Sequence, residues 1–175
     1  MGSAPVAGEH PPIAHQRTDD LGAGEPASEG TVDQFLGEYE HSLDAKGRLI
    51  LPAKFRAPLE DGAVLTIGKQ HCLVVVTRDE WARMAESADE KAREDDEKSL
   101  SAARALFALA QAVSPDGQGR IPIPENLRRY ADLDKKVVVT GALKRVEIWD
   151  EQRWQEEKQR GQALLAGSSL PGVGS

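Results

Sequence analysis

The chain has 175 residues, with 22 Lys and Arg against 29 Asp and Glu, a formal charge of −7, 39% hydrophobic residues and 5% aromatic. That length suits one domain or two small ones. No apolar run is long enough for a transmembrane helix, and the opening MGSAPVAGEHPP lacks the apolar segment of a signal peptide. A single cysteine, Cys72, excludes an intrachain disulfide and a Cys-based zinc site, and the histidines at 10, 15, 41 and 71 are scattered. We therefore expect a soluble protein of a reducing compartment, with no metal, no cofactor and no membrane partner.

In chain order, residues 1–34 are rich in Gly, Pro, Ala and acids, and carry six acids against Arg17 alone. Such a segment cannot bury enough surface to offset its ordering entropy, so disorder is expected over 1–34. The first strand is LGEYEHSL, followed by the turn Asp44–Ala45–Lys46–Gly47 and a strand over Arg48–Leu51. Asp bonds its own backbone in such turns and Gly supplies positive φ. Pro52 ends the strand and suits the start of a short helix, AKFRAPL. The runs AVLTI and CLVVVT, rich in Val and Ile, read as a hairpin joined at Gly68–Lys69–Gln70.

A helix is predicted from near Asp79, because Thr77-x-x-Glu80 has capping-box spacing. Its continuation over 86–98 holds seven acids and three bases and reads as a solvated face, while Leu100, Ala103, Phe107 and Ala110 supply a buried stripe. Next come a strand near LAQAVS, the turn Asp116–Gly117–Gln118–Gly119, a strand over Arg120–Ile123, a short helix after Pro124, and the β runs KVVVT and RVEIW, joined at Ala142–Leu143–Lys144. A last helix from about Asp150 carries Trp154 and Lys158, and GSSLPGVGS is expected to be disordered.

The second set of elements repeats the first. LDAKGRLILPAKFR at 43–56 aligns with PDGQGRIPIPENLR at 115–128, an offset of 72, and Trp81 answers Trp154 at an offset of 73. Asp44, Gly47, Arg48, Pro52 and Arg56 thus match Asp116, Gly119, Arg120, Pro124 and Arg128. Two homologous half-units are separated by a charged linker helix.

Catalytic patterns are missing from the sequence: there is no GxSxG, no HExxH and no Walker loop. The Gly-x-Gly of DGQGR lacks a third glycine. Cys72 and His71 are neighbours on a β run and point to opposite faces, so Cys72 reads as a small buried hydrophobe. Asp44 and Asp116 read as turn formers rather than paired acid–base groups. Trp81 and Trp154 read as core or subunit-interface anchors, and so few aromatics argue against single-strand binding by stacking.

The informative feature is D-x-x-G-R, present twice. The Asp and Gly fix a turn, and the Arg is presented at a set place on the rising strand. Its planar fork suits phosphate or a guanine edge. Lys46 adds a cation in the first copy, where the second has Gln118. A surface hairpin whose Arg pairs only with its own Asp would carry the same letters. Repetition of the motif in otherwise diverged halves favours a functional role. The net charge does not forbid an anionic partner, since residues 44–56 hold four bases and one acid.

LGEYEHSLDAKGRLILPAKFR, DGQGRIPIPENLR and EIWDEQRW together resemble the MraZ family, over about residues 35–160. The resemblance implies an α+β fold: a tandem pseudo-repeat of swapped-hairpin, AbrB-like β-barrel halves with flanking helices, assembling as a ring. The domains would be 38–82 and 110–153, separated by a linker helix over 83–109 and followed by a helix end and tail over 154–175. The resemblance further implies a cytoplasmic, nucleoid-associated regulator of transcription, not an enzyme, with no small-molecule substrate. It would bind direct repeats of double-stranded DNA in the promoter of the division and cell wall gene cluster. Carried over by motif, Asp44 and Arg48 fall on the first signature and Asp116 and Arg120 on the second. The expected DNA-contacting residues are Lys46, Arg48, Gln118 and Arg120, on turns formed by Asp44, Gly47, Asp116 and Gly119. Members of the family usually start near Gln34–Phe35, so the acidic tail is a departure. The alternative is an adaptor oligomer in which DNA binding is incidental.

Overall fold

A computed structural model describes residues 35–93 and 97–167, so the expected tail over 1–34 and residues 168–175 lie outside the described residues. The first half contributes β1 (Phe35–Ser42), β2 (Arg48–Ile50), the short helix α1 (Ala53–Arg56) with one tighter turn after it, β3 (Ala63–Ile67) and β4 (Leu73–Thr77). Two helices follow, α2 (Arg78–Arg93) and α3 (Glu97–Ala108). The second half contributes β5 (Gln111–Val113), β6 (Arg120–Pro122), α4 (Glu125–Tyr130), β7 (Lys136–Leu143), β8 (Val146–Asp150) and the final helix α5 (Glu151–Ala166).

The halves exchange strands. Six strands form one antiparallel sheet in the order β1-β7-β8-β4-β3-β5, and β2 pairs with β6 in a separate ribbon. In repeat terms β1, β3 and β4 correspond to β5, β7 and β8, so the sheet reads the same from either edge. Each half keeps its own hairpin, β3–β4 or β7–β8, and lends its first strand to the other half: β1 lies on β7 and β5 on β3. This is the expected swapped-hairpin arrangement, formed within one chain as a six-stranded sheet and a two-stranded ribbon rather than a closed barrel.

Strand alternation builds three layers. One side of the sheet, with Leu65, Leu73, Val75, Val139 and Ile148, packs on Leu49, Leu51, Phe55, Ile121 and Leu127 of the ribbon and short helices. The other side, with Val64, Val74, Val76 and Trp149, is covered by Trp81 and Met84 of α2 and by Trp154 of α5. Residues one apart on a strand face opposite ways, so Val-rich strands buried on both faces lack polar alternation.

Several local expectations are modified. The strand at LAQAVS shortens to three residues, against eight for β1. The first hairpin loop widens into a helical turn, Lys69–His71, with Gln70 and His71 at φ 57 and 61. In the second, β7 runs on to Leu143 at φ 63 and Lys144–Arg145 make the turn. The predicted cap is present, with the Glu80 N–H donating to Thr77 Oγ1 at 3.2 Å. The linker is two helices, which pack on each other, with Trp81 edge-on to Phe107 at 6.2 Å. In the predicted stripe Ala103 is buried, but Leu100 and Phe107 stay exposed, because α3 shares its apolar face between α2 and solvent.

Candidate nucleic-acid interface

The two D-x-x-G-R copies build near-identical turns. Asp44 Oδ1 accepts from the backbone N–H of Lys46 and of Arg48, each at 2.9 Å, and Oδ2 accepts from Arg48 Nε at 2.7 Å. Asp116 repeats this with Gln118 and Arg120, at 2.9, 2.9 and 2.8 Å. Gly47 and Gly119 close the turns at φ 72 and 77, a conformation that L side chains rarely adopt. Three donors on one carboxylate favour its charged form. The Arg48 backbone N–H is the main cause that holds Asp44 below the ordinary range, and the Arg120 backbone N–H is the main cause that lowers Asp116 to about 2.

The pairing of Arg with its own Asp is therefore real. It uses Nε, one of five guanidinium donors, and it fixes the direction of the side chain. The Arg48 and Arg120 side chains remain 30% and 25% exposed.

The ribbon brings the two copies together. Its register sets Arg48 opposite Pro122, Leu49 opposite Ile121 and Ile50 opposite Arg120. Directly opposed residues share a face, so Leu49 and Ile121, both fully buried, point into the core. Arg48, Ile50, Arg120 and Pro122 then form the outer face, with the two arginines diagonal at about 7–8 Å between backbones. Lys46 and Gln118 are exposed on the adjoining turns. Periodicity within one half could not show that Arg48 and Arg120 adjoin, since the contact is between halves.

Base is concentrated on the ribbon side of the sheet. The turns, the ribbon and α1 and α4 carry seven bases (Lys46, Arg48, Lys54, Arg56, Arg120, Arg128, Arg129) against Asp44, Asp116 and Glu125. On the opposite face of the sheet α2 and α3, whose described residues carry six acids and six bases, attach through Trp81 and Met84 and through the Leu106 carbonyl of α3, which accepts from Thr66 Oγ1 at 3.1 Å.

Other sequence candidates hold no reactive geometry. Cys72 is buried, and burial pushes its thiol up to about 12. His71 stacks on Tyr130 at 5.3 Å. Among the described residues no group of His, Cys, Asp and Glu is placed to hold a metal ion, and no helix is long and apolar enough to cross a membrane.

The class these observations define is a tandem swapped-hairpin protein with an arginine-bearing ribbon. The family model described as "MraZ protein, putative antitoxin-like" matches residues 34–102 and 106–165. Proteins named "Transcriptional regulator MraZ" are 46% identical in Saccharopolyspora erythraea and 44% in Kocuria rhizophila, each over 142 residues, and 47% in Frankia alni over 147. Each alignment spans 79% of this chain and 99% of the relative. The chain belongs to the MraZ family, and the relatives' shared name describes regulation of transcription rather than catalysis.

Proposed function

We propose that this protein is a sequence-specific regulator of transcription that grips double-stranded DNA with the outer face of the β2–β6 ribbon. The observation that carries this reading is the register of that ribbon, which sets two Asp-clamped arginines side by side on one outward face. A two-stranded ribbon fits the major groove, and arginine forks suit guanine edges and phosphates. Lys46 supplies a phosphate contact and Gln118 a polar one; the first turn, with its extra cation, dominates the electrostatics. The Asp clamp holds each arginine in place before DNA arrives, which lowers the cost of ordering it on binding.

One protomer offers too few cations for tight binding. Repetition in a ring-shaped homo-oligomer converts the second contact into a high-effective-concentration event, and direct repeats spaced near a helical turn would sit on one face of the duplex. The promoter repeats of the division and cell wall gene cluster are the proposed target, which places the protein in the cytoplasm, on the nucleoid.

The test is anisotropy with a labelled duplex of the promoter upstream of the protein's own gene. Arg48→Ala and Arg120→Ala should each weaken binding by roughly 5- to 150-fold, the range for loss of one specific arginine contact, with the oligomer unchanged by light scattering. Wild-type affinity should fall steeply with salt. Two variants that bind as well as wild type would reject the surface. Affinity indifferent to salt would instead favour the adaptor reading.

A further inference from the structure

Each turn is roofed by an arginine of the other half. The space that a Cβ on Gly47 would occupy is filled by Arg128, whose Nη1 would stand 1.7 Å away. The same space at Gly119 is filled by Arg56, with Nε at 2.2 Å. The backbone crosses over in the same places. Leu51 N–H donates to the Gly119 carbonyl, and Ile123 N–H donates to the Gly47 carbonyl, both at 2.9 Å. Arg56 Nε also donates to the Leu51 carbonyl at 2.9 Å, so one residue, Leu51, ties this arginine to the opposite turn. Arg56 and Arg128 are half-buried where their helix neighbours Lys54 and Arg129 are exposed. Arg128 further lines, with Asp44 and Ala45, an open recess of about 540 Å³ beside the first turn.

We propose that Arg56 and Arg128 are positioning residues, each holding in place the turn of the half it does not belong to. The Asp carboxylate gathers the turn's N–H groups from within, and the flat guanidinium covers the glycine from outside. Opening the turn requires lifting that arginine. Glycine serves twice here, for its φ and for the seat it leaves. Arg128 thereby sets the geometry of Lys46 and Arg48, and Arg56 that of Gln118 and Arg120. The swap then fixes the two turns relative to each other, not only the ribbon between them. The consequence for DNA rests on the function proposed above; the crossed control of the turns does not.

Amide hydrogen exchange on the full-length protein, without DNA, tests the crossing. Arg128→Ala should speed exchange at residues 46–48 by roughly fivefold, the factor that one net hydrogen bond is worth, and leave 118–120 unchanged. Arg56→Ala should do the reverse. Arg128→Lys, which keeps the stem and charge but not the plane, should fall between, and it serves as the readout if the alanine variant also speeds exchange in the core strand β8. Acceleration of each arginine's own turn, of both turns equally, or of neither would overturn the proposal.

The DNA arm is separate and uses the same promoter duplex. Arg128→Ala should be non-additive with Arg48→Ala and additive with Arg120→Ala. Weaker DNA binding with unaltered exchange would make Arg128 a direct phosphate contact and reject positioning. Crossed exchange with DNA affinity untouched by Arg48→Ala and Arg120→Ala would keep positioning and reject the DNA reading.

Discussion

Leu49 and Ile50 are adjacent on β2, yet Leu49 is fully buried and Ile50 is 43% exposed. Leu49→Ala removes three carbons from the point where β2 and β6 pack on the sheet. At about 0.8 kcal/mol per buried carbon the transfer loss is about 2 kcal/mol, and the cavity left in a well-packed core raises it to about 3–4 kcal/mol. Ile50→Ala, on the outer face, should cost within about 0.5 kcal/mol. At roughly 2–4 °C per kcal/mol for a chain of this size, Leu49→Ala should melt roughly 10 °C below wild type and Ile50→Ala close to it. Differential scanning calorimetry at one fixed protein concentration is the measurement, because self-association makes the midpoint concentration-dependent. Equal losses, or a larger loss at Ile50, would mean that the ribbon's faces are inverted. Arg48 and Arg120 would then point inward, and the interface proposed here would be refuted.

Asp116 is lowered to about 2 chiefly by the Arg120 backbone N–H, against an ordinary value of 3.8. Its folded value lies below its unfolded one, so the order it lends the turn is complete above about pH 4 and is lost as pH falls through about 2. Carboxyl NMR titration should show that midpoint, and a midpoint near 4 would mean that the carboxylate does not hold the turn. Cys72, buried and with its thiol pushed up to about 12, should resist a thiol reagent at pH 8 until denaturant is added, and prompt labelling of the native protein would contradict its burial. Asp150 caps α5, accepting from the N–H groups of Gln152 and Arg153 at 3.1 Å each. Asp150→Ala should cost about 0.5–2 kcal/mol by denaturant unfolding, and Asp150→Ser much less.

The turns were legible because their chemistry is local. Asp44 and Gly47, like Asp116 and Gly119, act within five residues, and the same letters recur with the same hydrogen bonds. The hairpins β3–β4 and β7–β8 were legible for a similar reason: their Val-rich runs are joined by short connections. The extent of the linker helices was less so, since the acidic stretch carries too few apolar residues to show where one helix ends and the next begins. Arg56 and Arg128 stood out in the repeat alignment, but the alignment carries no sign of which turn each would cover.

Sequence alone determined that the chain is a duplicated unit, that each copy presents an arginine on an Asp–Gly turn, and that acid and base are kept in separate segments. Only the tertiary structure decided which half each strand and arginine would serve. Two homologous halves offer the same edges to β1 and to β5, so local pattern cannot separate self-pairing from exchange. The choice is made by burying both faces of one shared sheet, and that same choice sets Arg48 beside Arg120.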